Sequence, residues 1–213
     1  MRFFACLLTA MLTLAAPPLG AQEAARPKGQ AAPAKPDSAK SDPAKSDPAK
    51  PAPRPSTLDD LFERLAKAES EREAEGISSL IERRFARSGS DTADLLLSRA
   101  AEAFGSKDLP LSIELLDRVV ALQPNWAEAW YKRATVFYQL DDPVAAMADL
   151  HRVLKLEPRH FNAWTGLGHI FMASDDKARA LEAYRRALKI NPQLSAVQTI
   201  VTRLAPDVDG QSL

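Results

Sequence analysis

The sequence predicts an all-α fold in which three helix–turn–helix units stack into a solenoid, and three observations support that prediction. Proline recurs at an interval of 34 residues, at Pro124, Pro158 and Pro192. Tryptophan keeps the same interval at Trp130 and Trp164. Between these marks the apolar residues are spaced by three or four, as they are on one face of an α-helix. A fixed period of this length is typical of stacked helical repeats.

Each 34-residue unit contains two helical patterns joined by a polar break. In the third unit Trp164, Leu167 and Phe171 fall on one helical face, and a polar break follows at 174–176. The second helix then runs to Pro192. Proline lacks the N–H that would continue a helix, so it forces a turn before the next unit. The corresponding breaks in the first two units lie at 105–108 and 141–143.

Eight positions recur with related residues in every unit. From the third unit to the first, they are Trp164, Leu167, Gly168, Phe171, Ala180, Tyr184, Ala187 and Pro192; Trp130, Arg133, Ala134, Phe137, Ala146, Leu150, Val153 and Pro158; and Leu96, Arg99, Ala100, Ala103, Ser112, Leu116, Val119 and Pro124. This pattern resembles that of the tetratricopeptide repeat (TPR) family, most closely in the third unit and least in the first.

The resemblance implies a TPR-type helical solenoid over residues 91–192. Its three units are expected at about 93–126, 127–160 and 161–192. The family is defined by how its helices pack, so the resemblance predicts the fold and leaves the function open. What it implies in general is a non-enzymatic scaffold that binds other proteins.

The first 21 residues are predicted to be a secretory signal peptide. Arg2 precedes an apolar run from Phe3 to Ala16, and Pro17 ends that run. Fourteen helical residues would rise only about 21 Å, which is less than the ~30 Å hydrocarbon core of a bilayer. The expected cleavage site is Leu19-Gly20-Ala21, before Gln22. The alternative is an uncleaved segment that anchors the protein in a membrane.

Cleavage at this site would also remove Cys6, the sole cysteine of the chain. The mature protein could then form no disulfide, thiolate metal site or cysteine nucleophile. Its expected location is the periplasm or the medium.

Residues 22–56 are predicted to be a disordered linker rich in Pro, Ala and Lys. The five residues from Ser41 to Lys45 repeat at once from Ser46 to Lys50, and the linker contains no large apolar residue. Such a segment cannot bury enough surface to offset the entropy lost on ordering. Its seven basic and four acidic residues leave two roles open, a solubilising spacer or a contact with an anionic envelope polymer.

Helical caps are expected at both ends of the stack, because the outermost units would otherwise expose apolar faces. Residues 57–90 are predicted to form the N-terminal cap or a degenerate repeat. Ser56 and Thr57, followed three residues later by Asp59 and Asp60, are typical of a helix start. The apolar stripe that follows consists of Leu58, Leu61, Phe62 and Leu65.

Residues 193–206 are predicted to form the C-terminal capping helix. Pro206 is expected to end this helix, and residues 207–213 to form a flexible tail. The predicted apolar stripe consists of Leu194, Val197, Ile200, Val201 and Leu204.

In the family that the chain resembles, the first helices of successive units line a concave groove. Counted from the first residue of each unit, positions 2, 5, 9 and 12 point about 130° away from the packing stripe, which consists of positions 4, 7, 8 and 11. Tyrosine and methionine at these positions are common in recognition surfaces. In the first unit the positions begin with Asp94, Leu97 and Ala101. The predicted partner-binding residues are Phe104, Glu128, Tyr131, Thr135, Tyr138, Gln139, Asn162, Thr165, His169 and Met172.

None of these groove positions is basic. A groove of the type that clamps a C-terminal carboxylate with Lys and Arg is therefore not expected.

The sequence predicts no catalytic, cofactor or metal site. It contains no Gly-rich phosphate loop, no nucleophile elbow and no HExxH motif. His151, His160 and His169 are nine residues apart, which is half a turn out of phase on a helix, so shared metal binding is not expected. Acidic residues outnumber basic ones from Thr57 onward, which argues against binding to nucleic acid.

Together these patterns predict a non-enzymatic interaction module of the bacterial cell envelope that binds a peptide or protein partner in its groove. A periplasmic holdase-type chaperone is the main alternative. An enzyme with a site at the edge of the stack is a further one.

Overall fold

The computed structural model describes residues 57–210. Within this range the chain forms nine α-helices and no β-strand, which confirms the predicted all-α fold. The predicted signal peptide, the linker and the last three residues of the predicted tail lie outside the described residues. The helices are α1 Leu58–Ala66, α2 Glu71–Phe85, α3 Asp91–Gly105, α4 Leu109–Leu122, α5 Ala127–Gln139, α6 Pro143–Leu156, α7 Phe161–Ala173, α8 Lys177–Ile190 and α9 Ser195–Asp209.

Helices α3 to α8 form the three predicted pairs, and each pair turns in the same way. One residue of every turn has a left-handed backbone, with φ of 62° at Lys107, 58° at Asp141 and 56° at Asp175. An aspartate follows, and its carboxylate accepts a hydrogen bond from the backbone N–H three residues on. These bonds satisfy N–H groups that the first turn of a helix leaves unpaired. The capping aspartates are Asp108, Asp142 and Asp176.

Small residues allow neighbouring helices to approach closely. Ala129 and Ala163 occupy the third position of their units, and both are 0% exposed. Gly168 of α7 lies directly beneath the ring of Tyr184 of α8, where a Cβ atom would overlap that ring. The glycine and the tyrosine therefore form one packing unit.

The second unit has Arg133 where the third has Leu167. Its guanidinium donates to both carboxylate oxygens of buried Asp149 at 2.8 Å and to Asp117 at 2.8 Å. The hydrogen bond that it donates to the Asp149 carboxylate raises the pKa of Arg133. The ring of Trp130 lies 4.8 Å beneath the guanidinium. A buried charge that is fully paired in this way can replace an apolar side chain at a packing position.

The predicted helical pair at 57–90 is present as α1 and α2. Thr57 and Asp60 exchange the two hydrogen bonds of a capping box, at 2.9 and 3.1 Å, and so begin α1. The pair does not occupy the position of an N-terminal cap, because its apolar side chains pack on the third unit, against Phe161, Ile190 and Leu194. The side chains that it buries there are Leu61, Phe62, Leu65, Ala68, Ala74, Ile77 and Ile81.

Polar contacts also join the α1–α2 hairpin to the end of the second unit and to the turn that precedes α9. Arg159 pairs with Asp59 at 2.6 Å, and the Gln193 amide donates to the Ala68 carbonyl at 2.9 Å. Leu95 holds the same unit position as buried Ala129 but is 55% exposed. The outer face of α3 is therefore open to solvent in the described part of the chain.

The predicted end of the last helix at Pro206 is corrected by the structure, in which α9 continues to Asp209. A proline in the last turn removes only one backbone hydrogen bond. Two ion pairs to α8 hold that turn, Arg185 to Asp209 at 2.6 Å and Lys177 to Asp207 at 3.4 Å. No helix among residues 57–210 is long and apolar enough to cross a membrane.

Candidate functional site

Two cavities open on the surface formed by the first helices α3, α5 and α7, which is called the groove below. The first pocket, of about 180 Å³, lies between α3, α4 and α5, and the second, of about 250 Å³, lies between α5, α6 and α7. Every residue that lines the first pocket has a counterpart 34 residues later in the second. The first is lined by Leu97, Ala100, Ala101, Phe104, Ser112, Leu116, Tyr131, Lys132, Thr135 and Val136; the second by Tyr131, Ala134, Thr135, Tyr138, Ala146, Leu150, Asn162, Thr165, Gly166, His169 and Ile170.

A third pocket continues the series, with α9 in the place of a further first helix. It measures about 390 Å³ and is more polar than the other two. His169 belongs to both the second and the third pocket. The third is lined by His169, Met172, Lys177, Tyr184, Ile200, Arg203, Leu204 and Asp207.

The structure brings most of the predicted groove residues together around these pockets. Phe104 lies in the first pocket and Met172 in the third, while Gln139 is exposed and lines none of the three. The second pocket holds six of the predicted residues, namely Tyr131, Thr135, Tyr138, Asn162, Thr165 and His169.

Glu128 lies beneath the surface, at 6% exposure. Its carboxylate is 3.1 Å from the Lys132 ammonium and 3.5 Å from Nε2 of His160. His160 in turn stacks on Phe85 of the hairpin, with ring centroids 5.0 Å apart. The α1–α2 hairpin thus covers the end of α5 where Glu128 lies. Periodicity within the repeats could not show this covering element.

Tyr131 separates the first and second pockets and lines both. Its ring centroid lies 4.6 Å from that of His160. Burial, together with the nearby carboxylates of Glu128 and Glu82, raises the pKa of Tyr131 to about 12. The phenol therefore stays protonated at neutral pH and can donate a hydrogen bond.

His169 and Tyr184 form a polar pair between the second and third pockets. The Tyr184 hydroxyl lies 2.8 Å from Nδ1 of His169. Burial lowers the pKa of His169 and raises the pKa of Tyr184 to about 12. With a neutral imidazole, the phenol donates to Nδ1, which leaves Nε2 as the N–H donor.

Sequence reasoning missed Gly166, which lies at the floor of the second pocket. A Cβ atom built on Gly166 would come within 3.2 Å of Cδ1 of Leu150. The equivalent residue of the second unit is Lys132. Glycine is unfavourable inside a helix, and that unusual placement was the signal that could have identified this floor.

A further cavity, of about 380 Å³, adjoins the second pocket and is called the acidic cavity below. The two share Asn162 and Thr165. One wall is helix α2, which contributes Glu71, Glu75 and Glu82. The sequence pattern does not predict this cavity, because the cavity exists only where the hairpin folds back on the third unit.

The described residues contain no group of three or more His, Cys, Asp or Glu side chains placed to bind a metal ion. His151 lies on α6, His160 caps the start of α7, and His169 lies in the groove. Apart from Lys132 in the first pocket, the first and second pockets are lined by neutral and apolar side chains.

Comparisons with known proteins agree with this architecture. A family model described as tetratricopeptide repeat matches residues 97–150 and 131–195. A TPR repeat-containing protein of Rhizobium etli is 33% identical over 93 residues, which cover 44% of this chain and 46% of that protein. The chain therefore spans about half the length of the curated relative that it matches.

Two solved structures are similar at lower identity. The first TPR domain of Spaghetti (RPAP3), bound to the HSP90 peptide SRMEEVD, is 17% identical with a TM-score of 0.53, and the match covers 56% of this chain and 95% of that chain. The TPR2B domain of yeast Sti1, in its complex with pHsp70, is 20% identical with a TM-score of 0.51, and the match covers 55% and 99%. At these identities the likeness shows the fold.

Stacked helix pairs whose first helices share a pocketed surface define the class of helical-repeat solenoids. Within that class, residues 97–195 match the tetratricopeptide repeat family, and the recurring unit positions agree with that match.

Proposed function

We propose that this protein is a non-enzymatic interaction module that binds a peptide segment of a partner protein across the tandem pockets. One observation carries the proposal. The first and second pockets repeat the same lining positions one unit apart, so the groove offers equivalent sites to successive side chains of one chain. Two solved complexes of similar fold, one bound to an HSP90 peptide and the other to pHsp70, support a peptide as the type of partner.

The chemistry of the second pocket defines what such a segment must carry. Its lining combines the apolar side chains of Leu150 and Ile170 with the hydroxyl-bearing side chains of Tyr131 and Tyr138. No charged side chain lines it. An apolar anchor fits this pocket, while backbone groups of the segment can bond to the rim.

The groove assignment is tested by capture of partners from native cells with the full chain and with Tyr138→Ala and His169→Ala variants. One stoichiometric partner, lost in both variants, supports the proposal. Many substoichiometric clients that both variants retain would instead indicate a holdase. A partner captured equally well by wild type and variants would place the working surface outside the groove.

We also propose that the protein works in the cell envelope, on the basis of the signal-like residues 1–21. Mass spectrometry of the exported fraction should give Gln22 as the mature N-terminus. An intact Met1 start in that fraction would contradict cleavage.

A further inference from the structure

We propose that the partner segment carries a Lys or Arg beside its apolar anchor, with the anchor in the second pocket and the cation in the acidic cavity. This inference rests on the proposed function, and it specifies the partner chemistry of the same groove.

The two cavities form one continuous depression. Asn162 and Thr165 lie on one face of α7, and each lines both the second pocket and the acidic cavity. A side chain next to the anchor of a bound segment therefore reaches the acidic cavity without leaving the groove.

The acidic cavity has carboxylates on one wall and no Lys or Arg in its described lining. Glu71, Glu75 and Glu82 are spaced four and seven residues apart on α2, so they share one helical face. Glu71 accepts from the Ser195 hydroxyl at 2.6 Å and Glu82 from the Asn162 amide at 3.0 Å. These neutral donors hold the carboxylates in place and leave their charge uncompensated.

Glu75 lies between the other two carboxylates and is exposed. It makes no hydrogen bond or ion pair with any residue in the described part of the chain. The remaining lining is neutral, with amides from Asn162, Asn191 and Gln193. The potential in this cavity is therefore negative, and a cation would find three carboxylates with no competing cation from the lining.

The negative field also extends into the second pocket. Burial and the Glu128 carboxylate raise the pKa of Tyr131, and the Glu82 carboxylate adds to that rise. The side chain of Tyr131 lines the second pocket. No Lys or Arg lines the second pocket. The nearby Lys132 ammonium, 5.6 Å from the Tyr131 ring, is paired with Glu128 at 3.1 Å, which offsets its repulsion of a cationic segment. An acidic segment would be disfavoured at the same place.

The experiment uses short fluorescent peptides in matched sets, with the full-length protein titrated against each. Every peptide has one Leu or Phe anchor in an Ala/Ser background and, at a series of offsets from the anchor, Lys, Gln or Glu. At low salt the best Lys peptide should bind about tenfold more tightly than its Gln counterpart, and the Glu peptide more weakly still. Added salt should reduce the difference.

The double variant Glu75→Gln/Glu82→Gln should remove the preference for Lys while preserving binding of the Gln peptide. Glutamine at 82 retains an oxygen that can accept from Asn162. The matched control is Glu114→Gln/Glu182→Gln, which makes the same charge change where those carboxylates pair with Arg118 and Arg186. The control should keep the full preference for Lys. Thermal unfolding of both double variants checks that the hairpin stays folded.

The outcomes separate the two proposals. Equal binding of Lys and Gln peptides, or a Lys preference that persists in the Glu75/Glu82 variant, overturns this inference and leaves groove binding intact. A wild-type protein that binds none of the peptides, and no partner in the capture experiment, overturns both.

Discussion

Two glycines of α7 differ in the atoms that an added methyl group would contact. Their substitution by alanine therefore distinguishes an effect on packing from an effect on binding. Gly168 lies beneath the ring of Tyr184, so Gly168→Ala forces that buried ring to move and should destabilise the fold by about 1–3 kcal/mol. Gly166 faces the second pocket near Leu150, so Gly166→Ala should narrow the pocket and weaken peptide binding with little loss of stability. Denaturant unfolding and peptide titration measure the two effects.

Gly76 of α2 supplies the control for these variants, since no atom lies within 4 Å of a Cβ built there. Gly76→Ala should raise the free energy of unfolding by about 0.5–1 kcal/mol through helix propensity. If Gly166→Ala binds peptide as tightly as wild type does, Gly166 is not part of the binding surface.

Trp164 and Tyr138 give a second residue-scale contrast. Trp164 is half-buried, donates from Nε1 to the Pro158 carbonyl at 3.0 Å and lies under the Arg186 guanidinium. Trp164→Ala should cost about 2–4 kcal/mol, toward the lower part of the range for aromatic truncation because burial is partial. Tyr138 is 44% exposed, so Tyr138→Ala should leave stability near wild type and weaken binding by about 1–2 kcal/mol.

Thermal and denaturant unfolding of both variants, with partner binding measured alongside, checks this contrast. Similar melting temperatures for the two variants would contradict the assignment of Trp164 to the packing stripe and of Tyr138 to the groove. Tyr131 is less suitable than Tyr138 for such a test, because its ring also packs on His160.

At the scale of one element, the first turn of α1 links stability to pH. The Thr57 backbone N–H donates a hydrogen bond to the Asp60 carboxylate, and this bond is the main cause that lowers the pKa of Asp60 below its usual 3.8. A side-chain hydrogen bond with Thr57 lowers that pKa further. A depressed folded pKa contributes stability that is present above the unfolded value and is lost as pH falls through the folded value. Asp60→Asn should therefore be less stable than wild type at neutral pH, and the difference should shrink below pH 3.8.

Unfolding of wild type and Asp60→Asn across a pH series measures this difference directly. A gap between the two proteins that stays constant into acid would show that the charge of Asp60 does not stabilise the helix.

The α1–α2 hairpin is the element whose position decides the shape of the site. Leu65 is 0% exposed and packs in the apolar cluster between the hairpin and the third unit. Leu65→Asp would bury an unpaired carboxylate there and should release the hairpin at a cost of about 3 kcal/mol or more. Hydrogen exchange should then increase across 57–85 while α5 and α6 remain protected, since their core lies in a separate cluster.

Loss of protection throughout the chain would contradict this prediction and make the hairpin part of one cooperative unit. Lys67→Ala, at the exposed C-terminal cap of α1, is the control and should leave the exchange pattern unchanged.

At the scale of the whole molecule, the repeat geometry explains both the pockets and the open end. Each unit places its third residue against the preceding pair, which buries Ala129 and Ala163 completely. No preceding pair covers α3 among the described residues, so Leu95 at that position is 55% exposed. The same translation that repeats the packing also repeats the cavity, and tandem pockets follow from it.

The sequence by itself determined the helix pairs, their turns and many of the residues that line the pockets, although predicted Glu128 is buried and predicted Gln139 lines none of them. These features are local or periodic: Pro124, Pro158 and Pro192 mark the ends of units, and six predicted groove residues line the second pocket. Periodicity carries this information because equivalent positions make equivalent packing contacts in every unit.

Only the tertiary structure decided where the hairpin lies and what it builds. The apolar stripe of α1 and α2 shows that the pair must be buried, but a stripe does not specify its partner surface. The contacts with Phe161, Ile190 and Leu194 are non-local, and they bring α2 against the third unit, where the acidic cavity forms. The extent of α9 was decided in the same way, because Val208 packs on the apolar cluster between α8 and α9 and two exposed ion pairs to α8 support the turn beyond Pro206.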